Sequence, residues 1–258
     1  MNSNYVIVPA RGGSKGVLDK NLKLIGGREL VIRSIIHAKE LVSNENIILS
    51  TDSDEIIAEV ARFFGIKNFN TEMNSVSKYG PFHLHKRGND LSDDRALITE
   101  VLFSIYERLS LLGLQVLTFC LLQPTSPFRN DRELREVKKI LNGNTDSSIS
   151  LVSVCSVGDH HPARMYRLLP SGELGELGGF EADRASRRQD LPRIYIRDGG
   201  YYIIGSSLVQ GKLQYNVKPM SLVRENPWSI NIDTEHDLLI AQSVKDFEVA
   251  SDPNSEPL

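Results

Sequence analysis

Short apolar runs alternate with longer amphipathic stretches along the first 160 residues. Short apolar runs are typical of strands buried on both faces of a parallel sheet, and such runs lie at 5–8, 47–50 and 116–122. A further strand, of Val, Ile, Leu and Ser, is predicted at 148–157. Apolar residues at helical spacing predict helices over 30–41, 54–64, 97–112 and 131–141. This order predicts an α/β fold with a mostly parallel sheet and helices on both faces.

The remaining segments are less regular. Residues 66–93 are polar and predict irregular structure, and 182–192 is a polar segment with five charged residues. The pattern further predicts a hairpin at 166–177, strands at 201–204 and 229–232, and a last helix over 234–249 capped by Thr234.

The chain shows no repeat and no low-complexity linker. We therefore predict a single domain over 1–250 with a small inserted subdomain near 158–195. Residues 251–258 are predicted to form a flexible tail.

Composition excludes several classes of protein. The 258 residues are 40% hydrophobic and 24% charged, with a net charge of −3, so there is no basic field for nucleic acid. Two cysteines, Cys120 and Cys155, are too few for a disulfide scaffold or a cysteine-based metal site. No basic leader precedes the first apolar run, and no stretch approaches the roughly 20 apolar residues of a membrane span. We expect a cytoplasmic protein.

The first chemical motif is Pro-Ala-Arg-Gly-Gly-Ser-Lys-Gly at 9–16, directly after the first predicted strand. Glycines let the backbone approach a ligand, while Arg11, Lys15 and the nearby Lys20 supply positive charge. The spacing is neither a Walker A motif nor GxGxxG. We favour a phosphate-binding loop, since ligands bind at the carboxyl ends of parallel strands. A glycine-rich surface turn is the alternative.

Two further motifs offer oxygen atoms. In Gln-Pro-Thr-Ser-Pro at 123–127, the prolines hold the polar side chains in fixed directions, although a rigid turn is equally consistent. On a strand over 229–232, alternation would put Asn231 and Asp233 on one side, which suits Mg²⁺. The alternative is that Asp233 or Thr234 only caps the last helix.

Adjacent arginines form the fourth motif. Arg187 and Arg188 precede Gln-Asp-Leu-Pro at 189–192, and two guanidinium groups on a loop can bind a carboxylate or phosphate. A solvated run of charges is the alternative.

Together and in this order, these blocks resemble the acylneuraminate cytidylyltransferase family, the CMP-sialic acid synthetases. The blocks that match are 7–16 with Lys20 and Asn21, 50–52, 122–127, 160–162, 187–192 and 230–237. They extend over nearly the whole chain.

The resemblance implies a nucleotidyltransferase (Rossmann-like) α/β fold with a dimerisation subdomain, and a homodimer. It implies transfer of CMP from CTP to the anomeric hydroxyl of a nine-carbon 2-keto sugar acid, with Mg²⁺ and release of pyrophosphate. The nucleotide-binding residues would be Arg11, Gly12, Gly13, Ser14, Lys15, Lys20, Asn21 and, near the base, Arg87. The sugar-acid residues would be Gln123, Arg164, Arg187, Arg188, Asp198 and Tyr202. Arg11, Lys20 and Asp233 would be catalytic, and Asp233 with Asn231 would hold the metal.

Two departures from the family pattern bear on specificity. Asn231 stands where the family usually has the first Asp of Asp-x-Asp, so it would offer the metal an uncharged ligand. Asp198-Gly199-Gly200 replaces the usual Asn-Gly-Ala of the sugar pocket, and an anionic Asp198 there would suit a differently substituted acceptor. A guanylyl-specific relative, a 3-deoxy-octulosonate cytidylyltransferase and a catalytically silent nucleotide-binding protein are the alternatives.

Overall fold

The computed structural model describes residues 3–14, 16–67, 70–93, 95–177, 187–210, 218–225 and 229–251. Its strands are β1 (Ser3–Pro9), β2 (Leu24–Ile25), β3 (Arg28–Glu29), β4 (Ile47–Thr51), β5 (Ser75–Tyr79), β6 (Phe82–Lys86), β7 (Val116–Leu121), β8 (Ser150–Ser156), β9 (Tyr166–Leu168), β10 (Leu174–Glu176), β11 (Tyr195–Gly205) and β12 (Met220–Val223). Its helices are α1 (Leu30–Leu41), α2 (Asp54–Phe64), α3 (Ile98–Leu111), α4 (Asp131–Gly143), α5 (Ser206–Gln210) and α6 (Glu235–Ser251).

Eight of the described strands form one sheet in the order β12-β8-β11-β7-β1-β4-β6-β5. β1 pairs in parallel with β4 and β7, β4 with β6, and β8 with β12. β11 is antiparallel to both neighbours, and β5 is antiparallel to β6. The mostly parallel α/β fold predicted from the sequence is therefore confirmed.

Alternation along β1 explains why helices cover both faces of the sheet. Val6 and Val8 belong to the apolar cluster formed with α1, α2 and α4. Tyr5 and Ile7 point the other way and pack with α3 and α5. Because both faces are buried, every central residue of β1 is apolar, as the sequence pattern indicated.

Several local expectations differ from the structure. The segment 66–93 contains β5 and β6, which the sequence analysis missed because the apolar positions of Phe82–Lys86 are interrupted by His83 and His85. Residues 229–232, predicted as a strand, join no sheet in the described chain; Ile232 N donates a hydrogen bond to Thr125 O at 2.8 Å. Thr234 caps α6 as predicted, since Asp237 N donates to Thr234 Oγ1 at 3.2 Å.

The region of the predicted subdomain contains the antiparallel pair β9 and β10, which matches the expected hairpin. Residues 178–186 fall outside the described part of the chain, and the inserted subdomain stays a prediction. Ser251 ends α6, so the predicted tail is otherwise outside the described residues. None of the helices in the described ranges is long and apolar enough to cross a membrane.

The parallel strands bring the sequence motifs together. β1, β4, β6 and β7 end at Pro9, Thr51, Lys86 and Leu121, which lie at the same edge of the sheet. The glycine-rich loop, Asp52, Arg87 and Gln123 each follow one of these ends. This edge is where ligands bind in open α/β sheets.

Candidate active site

A cavity of about 460 Å³ opens at the carboxyl edge of the sheet. The first half of the chain contributes predicted nucleotide-binding residues, namely Arg11, Ser14, Lys20, Asn21 and Arg87. The wall also contains Gln123, from the segment after β7, and Asn231 and Asp233, from the segment before α6. The structure therefore assembles three of the four sequence motifs around one space. Lys15 lies outside the described residues.

The glycine-rich loop is shaped by side chains from two neighbouring segments. The Asn21 amide donates to Arg11 O at 2.8 Å, and the Gly12 N–H donates to the Asp52 carboxylate at 2.8 Å. Gly13 has a φ of 61°, a conformation that favours glycine. Gly12 and Gly13 line a second opening of about 730 Å³ beside Arg11. Asn21 thus acts on the loop backbone as well as lining the cavity.

The loop packs directly against the segment that carries Asp233. A Cβ added at Gly16 would lie 2.2 Å from the Asp233 carbonyl oxygen, far inside contact distance. Only glycine lets the two backbones approach so closely. This contact fixes the position of Asp233 relative to the glycine-rich loop.

Lys20 and Asp233 form an ion pair at the cavity wall. The Lys20 ammonium lies 3.0 Å from the Asp233 carboxylate and also donates to Ile232 O at 2.7 Å. The Asp233 side chain is 65% exposed, so this pair contributes at most about 1 kcal/mol to stability. Thr234 caps α6, whereas the Asp233 carboxylate points towards Lys20. Asp233 is therefore not simply a helix cap.

The donor set at Asn231 and Asp233 fits Mg²⁺. The two side chains are in contact, with Asn231 Nδ2 donating to Asp233 Oδ2 at 2.6 Å, and rotation of the amide would present its oxygen. In the described ranges, no cluster of three or more His, Cys, Asp or Glu residues could hold a metal. One carboxylate and one amide oxygen suit an ion that takes its other ligands from water and substrate phosphates.

Arg87 is a buried cation at the cavity wall. Its Nε donates to Ser50 Oγ at 2.9 Å, and one Nη donates to Ser50 O at 3.1 Å. Burial lowers the pKa of the Arg87 guanidinium to about 10, although the charge of Asp52 opposes this shift. Arg87 is therefore still protonated at neutral pH.

A smaller cavity of about 320 Å³ adjoins the first and shares Gln123 and Asn231 with it. Tyr202, predicted for the sugar pocket, lies here, together with Arg197. Sequence reasoning missed Arg197. The signal that could have found it is a single arginine in the otherwise apolar and aromatic start of β11, two residues before Gly199.

Asp198 is turned away from this cavity, contrary to the sequence expectation. Its carboxylate is buried and lies 2.9 Å from Arg224 Nη1, and it accepts hydrogen bonds from Gly200 N and Ser153 Oγ. A buried carboxylate needs such a partner, since an unpaired one would be strongly destabilising. Asp198 therefore neutralises Arg224 and supports the wall behind Gly199.

The predicted arginines of the 158–195 region lie elsewhere. Arg164 lines a separate cavity of about 100 Å³ with His161 and Pro192. Arg187 donates to the Asp190 carboxylate at 3.0 Å and is 76% exposed. The Arg188 side chain is outside the described part. The structure does not bring Arg164 or Arg187 to the cavity that holds Gln123 and Tyr202.

The fold of the described residues is similar to that of solved nucleotidyltransferases. A solved structure of CMP:2-keto-3-deoxy-manno-octonic acid synthetase, complexed with CTP, matches with a TM-score of 0.60 at 13% identity, covering 96% of this chain and all of that one. Residues 5–78 match the cytidylyltransferase family model.

Two relatives extend the similarity along the chain. The N-acylneuraminate cytidylyltransferase of Streptococcus agalactiae is 28% identical over 240 residues, which cover 90% of this chain and 51% of the relative. The chain thus spans about half the length of that protein. The CMP-N,N'-diacetyllegionaminic acid synthase of Legionella pneumophila is 27% identical over 246 residues, which cover 93% of this chain and 95% of the relative. These matches confirm the resemblance drawn from the sequence motifs.

The contact between Gly16 and Asp233 makes a testable prediction. A Gly16→Ala change should lower turnover on the order of a hundredfold, because misplacement of a site by about 1 Å can cost that much. Gly143→Ala is the matched control, since a Cβ at Gly143 meets nothing within 4 Å. Initial rates and melting temperatures of both variants provide the measurement. Wild-type activity in Gly16→Ala would contradict the proposed coupling between the loop and Asp233.

Proposed function

We propose that the chain transfers CMP from CTP to the anomeric hydroxyl of a sialic acid or a related nine-carbon 2-keto sugar acid, releasing pyrophosphate. The observation that carries this proposal is the pair of adjoining cavities at the sheet edge. The first is rich in cations, with Arg11, Lys20 and Arg87 on its wall, and the second adds Tyr202 and Arg197. The names of the relatives favour the same reaction.

The cations are matched to a nucleoside triphosphate. Such a ligand carries about four negative charges, and neutralising this charge is the main contribution of a protein to phosphoryl-type transfer. Arg11, Lys20 and Arg87 offer three positive charges. Asp233 and Asn231 would hold Mg²⁺, which when bound supplies further positive charge beside the phosphate oxygens.

The reaction itself needs two ligands in contact. The anomeric oxygen of the acceptor forms a bond to the α-phosphorus, the bond from that phosphorus to the bridging oxygen breaks, and pyrophosphate leaves with the electron pair. The hydroxyl proton passes to solvent. Gln123 borders both cavities and is therefore suited to orient the acceptor towards the α-phosphate.

The proposal includes a homodimer formed through the region of β9 and β10. Exposed apolar side chains concentrate there and on the start of β11, including Leu168, Leu174, Tyr195 and Ile196. Exposed apolar side chains of this kind favour association with a second copy. Sedimentation analysis of the wild type and of Leu168→Asp tests the homodimer. A monomeric wild type would contradict it.

A substrate panel tests the reaction. Pyrophosphate release is measured with CTP, GTP, UTP and ATP, each against eight- and nine-carbon 2-keto sugar acids. Release with CTP and a nine-carbon acid supports the proposal. A preference for GTP or for 3-deoxy-octulosonate supports the corresponding alternative, and nucleotide binding without release for any acceptor supports a silent binding protein.

Arg11→Ala should reduce turnover by a factor on the order of 10² to 10³, because it removes one cation aimed at developing phosphate charge. Arg62→Ala is the matched control, since Arg62 is exposed on α2 and paired with Glu59. Pyrophosphate release is the measurement. Arg11→Ala activity within twofold of the wild type would remove Arg11 from the triphosphate site.

Arg197→Lys should raise the acceptor KM about tenfold and leave the CTP KM unchanged, because a lysine cannot bind a carboxylate through two parallel hydrogen bonds. Arg187→Lys is measured beside it. The sequence motif assigned the acceptor carboxylate to Arg187, whereas the position of Arg197 favours Arg197. A raised acceptor KM in Arg187→Lys alone would restore the first assignment.

The metal assignment predicts opposite effects at two positions. Asp233→Ala should abolish activity, because a triphosphate-bound Mg²⁺ loses its protein carboxylate. Asn231→Asp should lower the Mg²⁺ concentration for half-maximal rate, since it adds charge beside the ion, without necessarily raising the maximal rate. Mg²⁺ titrations of both variants are the measurement. An unchanged Mg²⁺ requirement in Asn231→Asp would show that Asn231 does not face the metal.

A further inference from the structure

A line of buried polar side chains runs from Arg87 into the protein, away from the cavity. Arg87 Nε donates to Ser50 Oγ at 2.9 Å, Ser50 Oγ lies 2.9 Å from His85 Nδ1, and His85 Nε2 lies 3.3 Å from Ser104 Oγ. Ser50 and His85 are completely buried. We call Ser50, His85 and Ser104 the polar relay.

Strand pairing builds the relay. β4 and β6 are parallel, and their register puts Ser50 beside His85. Arg87 follows His85 by two residues and continues the same ladder, since its N–H donates to Thr51 O at 2.9 Å. Ser104 comes from α3, which covers this face of the sheet.

The direction of each hydrogen bond follows from the donor inventory. An arginine Nε can only donate, so Ser50 Oγ accepts from Arg87 and is free to donate its own hydrogen to His85 Nδ1. When Ser50 Oγ donates to Nδ1, His85 carries its proton on Nε2 and donates it to Ser104 Oγ. Burial, followed by the charges of Arg87 and Arg108, lowers the pKa of His85 to about 3, which agrees with a neutral ring.

This arrangement decides where the Arg87 donors point. Two of its five N–H groups are occupied by Ser50, one on the hydroxyl and one on the carbonyl oxygen. Without an acceptor at position 85, the Ser50 hydroxyl hydrogen would turn away from that side chain. Where it points towards Arg87, the two donor hydrogens on Ser50 Oγ and Arg87 Nε repel each other. The Arg87 guanidinium would then lose one of its two anchors.

We propose that Ser50 and His85 are positioning residues that hold the Arg87 guanidinium in the orientation that binds the nucleotide, with His85 acting through Ser50. The identity of the ligand rests on the proposed function, whereas the relay itself rests on the contacts given above.

The experiment measures CTP affinity by calorimetry without acceptor, so that turnover plays no part. His85→Leu keeps a similar volume and removes the acceptor, and His85→Asn restores an acceptor near the Nδ1 position. We expect His85→Leu to weaken CTP binding about tenfold, the effect of one net hydrogen bond, and His85→Asn to recover most of it. His83→Leu, on the same strand and outside the relay, is the matched control and should bind CTP normally.

A double-mutant cycle separates positioning from packing. In an Arg87→Ala background, His85→Leu should cause no further loss of CTP affinity, because its effect passes through Arg87. The proposal would be overturned if His85→Leu lowered the melting temperature but left the CTP affinity normal. It would also be overturned if His85→Leu weakened CTP binding as much in the Arg87→Ala background as in the wild type. If His85→Leu does not fold, Ser50→Ala carries the same cycle, since it removes the hydroxyl that lies between His85 and Arg87.

A ligand-independent measurement distinguishes failure of the relay from failure of the proposed function. ¹⁵N spectra of histidine-labelled protein, with the His85 signal assigned by its loss in His85→Asn, should show the His85 ring neutral, with its proton on Nε2, from pH 8 to pH 5. The assignment is needed because burial also lowers the pKa of His37. A proton on Nδ1 would overturn the relay whatever the ligand. If the spectra agree and no CTP binds to the wild type, the proposed function fails and with it the assignment of Arg87 to a nucleotide.

Discussion

The approach of Gly16 to the Asp233 carbonyl oxygen is the contact on which the site depends. It joins the glycine-rich loop, which follows the first strand, to the segment just before the last described helix. Lys20 then reaches both Ile232 O and the Asp233 carboxylate across the same junction. Without this close backbone contact, the cations and the carboxylate would not face one space.

The predictable part of the molecule is the part encoded by local pattern. β1, β4 and β7 are buried on both faces and appear as unbroken apolar runs, so their place in a parallel sheet could be predicted. β6 was missed because its two histidines look polar in sequence, while in the structure His85 is buried beside Ser50 on the neighbouring strand. Pairing of that kind depends on residues far apart in the chain and leaves no local signature.

The site was predicted best where a motif directly follows a strand. Arg11, Lys20 and Gln123 lie on the cavity because the ends of parallel strands converge at one edge. Arg197 was missed and Asp198 was assigned to the sugar pocket, because neighbours on a strand point to opposite sides and the sequence does not show which side faces the cavity. The register between β8 and β11 also shifts between Arg197 and Tyr202, which alters which residues face the cavity. Only the paired register shows that Arg197 faces the cavity and Asp198 faces Arg224.

The surroundings of Arg224 account for both unusual residues at 198–200. Asp198 balances the Arg224 charge, and a Cβ at Gly200 would lie 2.3 Å from Arg224 Nη1. Arg224 also lies 3.0 Å from the buried Glu133 carboxylate, so a change of Asp198 alone would leave it one of two acidic partners. A Cβ at Gly200 alone would have no room beside the guanidinium. Transplanting the Asn-Gly-Ala pattern into this scaffold would therefore also require a smaller residue at 224, so the three positions 198, 200 and 224 form one unit that can only be exchanged together.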